Sequence, residues 1–242
     1  MYNLLGRKII LILFVVGLFA TDAFSQFRAK GNYNYLDFAN KPYYFGMSFA
    51  YVHAGYKIDR SRMFSNSTNI DVVESVSGPG VSLNMIANLK VGDFFDFRAM
   101  PGFSFIDRSF IFTEANDNRN TYVKGVESVF FDLPFQLRFK SAPYKDKRFY
   151  LMAGIRYSYD VESTSGIREE EQQDLILFSP HDFQLEYGAG VQFFFPFFIF
   201  SPEIKISQGI SDIHIYRSDL EESSILETIK SKLFTISFHF EG

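Results

Sequence analysis

The sequence has 242 residues with 31 Phe, 14 Tyr, no Trp and no Cys, and its formal net charge at pH 7 is −4. The lack of Cys excludes a disulfide framework, a thiolate metal site and a lipidated N-terminal Cys, and the acidic balance argues against a nucleic-acid partner. Aromatic residues make up 19% of the chain, yet the mean hydropathy is only −0.03. This combination is typical of strands in which apolar and polar residues alternate, and without a dividing linker the length predicts one folded domain.

The first part of the chain, residues 1–25, has the features of a secretory signal peptide. Two basic residues precede an apolar run at 9–20, and Ala23-Phe24-Ser25 forms a small-x-small cleavage site. The apolar run is too short to span a membrane as a helix. We therefore expect cleavage before Gln26, and the lack of any other long apolar run argues against a helical membrane protein.

Residues 26–42 are polar and rich in Asn, and they predict an N-terminal arm without regular structure. From Tyr43 onward, large apolar residues alternate with small or polar ones, which is the pattern of a strand with two unlike faces. Seven further segments repeat this pattern. The predicted strands are 43–52, 80–89, 95–105, 128–140, 149–160, 183–195, 198–207 and 234–240.

Long and short connections alternate between these strands. The short turns are predicted at residues 90–93, 141–147 and around Pro196. The long loops are 55–77, 108–125, 162–181 and 210–231. In the last of these loops, the spacing of side chains at 220–230 favours a short helix.

The hairpin at residues 182–209 indicates which environment the strands occupy. Each of its arms holds roughly ten alternating residues, the length at which a tilted strand crosses a bilayer. One face collects Phe, Tyr, Leu and Ile, and the other collects Gly, Ser and paired charges. Because lipid cannot hold charges cheaply, the polar face is predicted to line a lumen. The fold class is therefore all-β, an eight-stranded antiparallel up-and-down transmembrane β-barrel formed by residues 43–242.

The loop pattern also predicts orientation. In outer-membrane barrels, short turns face the periplasm and long loops face outward. We therefore expect an integral protein of the bacterial outer membrane, surrounded by its lipid, with both termini and the arm at 26–42 in the periplasm.

The predicted inner face carries a set of charged residues among Gln and Asn. An eight-stranded barrel is only wide enough for its own side chains, so these charges are expected to pair into a plug and leave no pore. A proton or solute path and a catalytic site are the alternatives. The predicted lumen charge network consists of Asp96, Arg98, Asp132, Arg138, Arg156, Asp160, Glu186, Glu203 and Lys205.

No catalytic, cofactor or metal site is predicted. The four His residues do not lie at metal-ligand spacing on one face, and His53 and His181 are expected near the outer strand ends as interfacial side chains. The oxygen-rich run 114–118 lacks the Gly and closing Glu of a calcium loop. The acidic run 169–171 is interpreted as a solvated loop, with a divalent-bridged contact to lipopolysaccharide as the alternative.

Several segments resemble a known family. Residues 36–46, Leu-Asp-Phe-Ala-Asn-Lys-Pro-Tyr-Tyr-Phe-Gly, resemble the segment that leads into the first strand of the PorT family, an outer-membrane component of the type IX secretion system. Three later segments resemble both this family and the wider class of small outer-membrane barrels in bacteria that use this system. They are Arg-Ala-Met-Pro-Gly-Phe-Ser-Phe at 98–105, Glu-Ser at 127–128 with Phe-Asp-Leu-Pro at 131–134, and Phe-Ser-Pro-Glu-Ile-Lys at 200–205.

The resemblance implies a non-enzymatic protein required for export of proteases, adhesins or gliding-motility proteins. Because the barrel is too narrow for a folded protein to pass, it implies an accessory or assembly role. The candidate surface for contact with other secretion proteins is the arm, with Asp37, Phe38, Asn40, Lys41 and Pro42, although a plain linker fits equally well. A stand-alone barrel for envelope integrity or adhesion and a lipid-modifying barrel enzyme are the competing hypotheses.

Overall fold

The computed structural model describes residues 31–60, 70–114, 121–161, 177–215 and 226–242. The predicted signal peptide and the acidic run 169–171 lie outside these ranges. The described chain contains one short helix, α1 (Tyr33–Ala39), and otherwise strands. The strands are β1 (Tyr43–Arg60), β2 (Ile70–Val76), β3 (Gly78–Val91), β4 (Phe95–Ala99), β5 (Gly102–Glu114), β6 (Thr121–Lys140), β7 (Lys147–Asp160), β8 (Leu177–Phe178), β9 (His181–Phe194), β10 (Ile199–Gly209), β11 (His214–Ile215) and β12 (Leu226–Glu241).

Ten of these strands form one antiparallel sheet that closes on itself. On one side β1 pairs with β12, beginning with Gly46 opposite Glu241. On its other side β1 pairs with β3, beginning with Tyr43 opposite Leu89. Closure removes the open edges that a bilayer cannot satisfy, because no water is present in its core to bond the free backbone groups.

Two of the eight positions around the ring are occupied by an interrupted strand. β2 and β3 are separated only at Ser77, and β4 and β5 only at Met100 and Pro101. Proline has no N–H to donate, yet the Met85 amide donates to the Pro101 carbonyl at 2.8 Å and the Met100 amide to the Pro134 carbonyl at 3.0 Å. The wall therefore remains hydrogen-bonded across the interruption, and the predicted eight-stranded up-and-down barrel is confirmed.

Burial shows which face of the sheet points inward. Phe45 and Phe149 are 62% and 65% exposed on the outer surface, whereas Asp132, Arg138 and Glu203 are at most 1% exposed inside. A water-soluble carrier barrel has the opposite arrangement. Among the described residues, no helix is long and apolar enough to cross a membrane.

Several strands extend further toward the long-loop end than predicted. β1 continues to Arg60, β5 continues to Glu114, and β6 begins at Thr121, so parts of 55–77 and 108–125 that were expected as loop are strand. The predicted helix at 220–230 is also wrong in its described part, because β12 begins at Leu226 and Ile229 pairs with Ile58 of β1. Cross-strand pairing overrides the local helical spacing there. Residues 220–225 of the predicted helix lie outside the described chain.

The apolar interior is divided into two clusters, one near each end of the barrel. The cluster toward the long loops contains Val52, Ala54, Ile106, Phe130 and Leu233. The cluster at the short-turn end contains Phe38, Tyr44, Phe194 and Ile199, with Tyr35 packed against it. The arm therefore contributes to the core through α1, which the sequence pattern did not predict.

We predict that a positive charge on the outer face destabilises the barrel in lipid. Ile155 lies on that face of β7 and is 56% exposed, so Ile155→Arg should lower the free energy of unfolding by about 2–4 kcal/mol near the bilayer midplane. Denaturant titration in phospholipid vesicles measures this change. The control Ile155→Leu should stay within about 0.5 kcal/mol of the unmodified protein, and equal tolerance of both variants would contradict a lipid-facing β7.

Candidate functional site

The interior charges form two connected clusters, and we define the lower cluster as the one nearer the short turns. Arg138 is its centre: its guanidinium contacts Asp96 at 2.9 Å and the Asn88 side-chain oxygen at 2.5 Å. The Tyr44 hydroxyl accepts a hydrogen bond from Arg138 at 2.6 Å, and Lys140 forms an ion pair with Asp96. A single buried carboxylate thus faces two cations, and neighbouring strands hold all of them.

Glu241 connects the lower cluster to the last strand. It forms an ion pair with Arg98 and lies 3.6 Å from Arg138. Arg98 lies 3.8 Å from Glu203, and the carboxylate of Glu203 accepts a hydrogen bond from the Tyr150 hydroxyl at 2.8 Å. The lower cluster is therefore a network rather than a set of isolated pairs.

The upper cluster is built around Asp132 and Glu186. Arg156 donates to both carboxylate oxygens of Asp132, at 3.0 and 2.5 Å, and Ser158 donates to the same carboxylate at 2.6 Å. Lys205 lies 3.1 Å from Glu186. The contact of Arg156 with both oxygens of Asp132 is the geometry that an Arg–carboxylate pair favours.

The structure thus brings eight of the predicted lumen residues into two clusters, and the ninth, Asp160, is buried at the long-loop end of β7. The prediction omitted Lys140, Glu241 and His239 from the network. Lys140 and His239 occupy positions that alternation assigns to the lumen, but they lie near strand ends. Alternation does not predict whether a residue near a strand end lies deep enough in the lumen to meet the other charges. Glu241 follows the last outward Phe and was not counted as part of the strand.

Helix α1 closes the short-turn end. Its Tyr35 amide donates to Asp146 at 2.9 Å, and the Asn34 side chain donates to the Phe194 carbonyl at 3.1 Å. Phe38 is 3% exposed, and its ring centre lies 6.0 Å from that of Phe194. The ammonium group of Lys90 donates to the Phe38 and Ala39 carbonyls at the helix C-terminus, where the last carbonyls lack the usual partner one turn further on.

The predicted contact arm therefore has two different sides. Asp37, Asn40, Lys41 and Pro42 are exposed, whereas Phe38 points into the barrel mouth. The Lys41 ammonium lies 4.8 Å above the centre of the Phe38 ring. In this conformation the exposed side of the arm, which carries these polar residues together with Tyr33 and Leu36, is open to a partner.

Aromatic rings close the long-loop end. Tyr56 stacks on Phe110 at 5.1 Å and on Phe178 of β8 at 5.4 Å between ring centres. The buried Arg108 guanidinium lies 4.6 Å from the Tyr56 ring centre, an arrangement that stabilises a cation away from water. With β8 paired to β11 above this stack, the lumen is covered at both ends by described residues.

The remaining candidate positions show no catalytic arrangement among the described residues. The His181 ring lies on the outer surface, with Nδ1 2.7 Å from the Tyr157 hydroxyl, rather than beside the Ser or Asp that a lipid-modifying enzyme requires. In the described part of the chain, no group of three or more His, Asp or Glu side chains is placed to hold a metal ion. The oxygen-rich residues 116–118 lie outside it.

Sequence comparison identifies the family. Residues 23–214 match the family described as outer membrane protein beta-barrel domain. The chain belongs to this family. It is accordingly a bacterial outer-membrane β-barrel protein that sits in the lipid of that membrane, and the filled lumen and outward aromatic residues are the interior and lipid face of such a barrel.

Solved barrels from other bacteria are similar at low sequence identity. Neisserial surface protein A is 10% identical, with 81% of this chain and 95% of that chain covered and a TM-score of 0.41. Ail, the attachment invasion locus protein of Yersinia pestis, in complex with sucrose octasulfate, is 10% identical, with 84% and 100% covered and a TM-score of 0.38. OprG of Pseudomonas aeruginosa is 12% identical, with 81% and 96% covered and a TM-score of 0.42. No curated protein sequence matches the chain.

We predict that removing one partner of a buried ion pair destabilises the barrel more than removing both partners. Asp132→Ala leaves the Arg156 guanidinium buried without its main partner, and the free energy of unfolding should fall by about 3–5 kcal/mol. The double variant Asp132→Leu with Arg156→Met removes both charges at similar volume, so it should be clearly more stable than Asp132→Ala. Denaturant titration in vesicles compares the three proteins, and a double variant as unstable as the single one would contradict this account.

We also predict that Asp146 keeps α1 docked. Asp146→Ala removes the acceptor of the Tyr35 amide, and chymotrypsin should then cleave within α1 about tenfold faster, because a hydrogen bond to a charged acceptor is lost. Asp93→Ala on the neighbouring short turn is the matched control and should leave the rate unchanged. Equal rates for the two variants would show that the Asp146 carboxylate does not hold α1 in place.

Proposed function

We propose that this protein is a non-enzymatic accessory or assembly component of type IX protein secretion, which exports proteases, adhesins or gliding-motility proteins. The proposal rests on one observation in particular. The segment 36–46 that resembles the PorT family covers the last turn of α1 and the first residues of β1, which close the short-turn end of the barrel. The most family-like part of the sequence is therefore also the part that presents a surface beside the membrane.

The filled lumen supports an accessory role over a conduit. Arg98, Arg138 and Glu203 are buried in the lumen, and an eight-stranded barrel has room only for its own side chains. Cargo then has to cross the membrane through another component, with this protein supporting its assembly or position.

The exposed side of α1 is the proposed partner surface. Tyr33 and Leu36 are 78% and 50% exposed, although an isolated surface helix normally buries its large apolar residues. Tyr144 on a neighbouring short turn is 69% exposed at the same end. With short turns in the periplasm and both termini on that side, this surface faces other secretion-system proteins.

A stand-alone role in envelope integrity or surface adhesion is the second candidate. It is favoured by the length of β6, which has 20 residues. A strand rises by about 3.3 Å per residue, and the hydrocarbon core is about 30 Å thick. A strand of this length is therefore much longer than a crossing requires, even when it is tilted. The sheet therefore continues past the membrane on the long-loop side, where it offers a surface for external ligands.

A deletion strain complemented with variants separates the two roles. For the secretion role, deletion should leave cargo in the periplasm, and Tyr33→Ser with Leu36→Ser should fail to restore export although the barrel reaches the outer membrane. Lys57→Ser with Asp59→Ser, a pair exposed at the opposite end, should restore export fully. Quantitative proteomics of medium and periplasm measures the outcome, with a several-fold difference expected.

Normal export in the deletion strain would contradict the secretion role. Altered surface binding or detergent sensitivity in that strain would then support the stand-alone barrel. In that case the Lys57 and Asp59 variant, rather than the α1 variant, should share the defect.

A further inference from the structure

An open groove runs along the lipid face of the barrel where β7, β9 and β10 meet. Its volume is about 640 Å³, within the roughly 300–1,000 Å³ range of small-molecule sites. Phe149 and Leu151 line one side, Ile204 and Ile236 line the other, and Ala189 lies between them. The groove begins near Ser141 at the short-turn rim and ends at Ile204 and Ile236, further along the barrel wall.

The groove exists because small side chains interrupt the large apolar residues of the lipid face at this point. In the β9–β10 ladder, pairing passes from Phe200 opposite Phe193 directly to Glu203 opposite Gly190. Pro202 lies in the gap and has no N–H to donate. On the lipid face, Ala189 presents only a methyl group between Leu151 of β7 and Ile204 of β10, which lie opposite it on either side, so the surface is lower there than over the larger residues.

A cation stands at the rim end of the groove. Lys147 is exposed, it pairs across the sheet with Phe193, and its ammonium lies 5.7 Å from the centre of that ring. It is one pleat beyond Phe149, which lines the groove. The nearby Asp146 carboxylate is engaged by α1 through Tyr35, so it does not neutralise Lys147 through a direct pair.

We propose that this groove binds one glycerophospholipid, with an acyl chain along Ala189 and the phosphate against Lys147. An apolar trough with a single cation at its membrane-surface end matches the division of a phospholipid into hydrocarbon and phosphate. The Lys147 ammonium stays exposed beside the Phe193 ring at the rim of the barrel, where lipid phosphates lie. Because short turns lie on the periplasmic side, the ligand comes from the leaflet that is made of phospholipid rather than lipopolysaccharide.

The test uses the full mature barrel, extracted in detergent and equilibrated with defined lipids. Native mass spectrometry then counts the lipid molecules retained per barrel, with phosphatidylglycerol, a diacylglycerol with the same acyl chains and lipopolysaccharide as separate probes. The unmodified protein should retain one phosphatidylglycerol, and less diacylglycerol or lipopolysaccharide.

Three variants locate the site. Ala189→Phe fills the groove and should lower phosphatidylglycerol retention by about tenfold through lost van der Waals contacts. Lys147→Gln should lower it by about two- to fivefold, as expected for an exposed ion pair, without affecting diacylglycerol. Ala87→Phe makes the same change on the lipid face of β3, outside the groove, and should retain the lipid as the unmodified protein does.

Three results would overturn the proposal. Equal losses in Ala189→Phe and Ala87→Phe would mean that lipid adheres without a site. Unchanged phosphatidylglycerol retention in Lys147→Gln would mean that the phosphate is not recognised, and preferential retention of lipopolysaccharide would assign a different ligand. Heat-modified gel mobility checks that each variant is folded, and Ala189→Leu provides a smaller filling change if Ala189→Phe does not fold.

Discussion

Backbone pairing between the first and last strands, β1 and β12, is the interaction on which the rest of the structure depends. In lipid, an open strand edge has no water to satisfy its N–H and C=O groups, so the sheet must close into a ring. With eight positions around that ring, the bore is too narrow to hold bulk water and is filled by side chains. The outward Phe and Tyr residues and the inward polar residues follow from this closure.

The narrow lumen explains why the interior charges form networks. Removing an ionised group from water is costly unless it is paired and hydrogen-bonded, and in both clusters carboxylates lie against cations from other strands. Arg98 and Glu241 are 143 positions apart, whereas Arg156 and Asp132 are 24 apart on paired strands. These contacts fix opposite walls to one another, and they leave the ends and the lipid face as the surfaces available for function.

The two ends are closed in different ways. At the short-turn end, α1 brings Phe38 into an apolar cluster and is held by Asp146 and Lys90. At the long-loop end, an aromatic stack covers Arg108. The polar interior therefore lies between apolar layers at the two ends of the barrel.

The alternating pattern of side chains was sufficient to predict the barrel, its strand number and the face of each strand, because alternation with a period of two is local and is preserved wherever a strand lies at the boundary of two media. Residues such as Phe149 and Arg138 were assigned to opposite faces on that ground alone. Strand ends were less accurate: β6 and β12 extend past the predicted limits because pairing with a neighbouring strand, rather than local composition, decides where a strand stops.

Three features could be seen only in the folded chain: which charges meet, the presence of Glu241 and Lys140 in the networks, and the folding back of the polar arm that buries Phe38. Alternation states the side of the wall on which a residue lies, but not its height or its neighbour across the lumen. Those depend on strand register and tilt, which long-range pairing fixes. The depression at Ala189 has the same origin, because it requires Leu151 and Ile204 from two other strands to lie on either side of that small side chain.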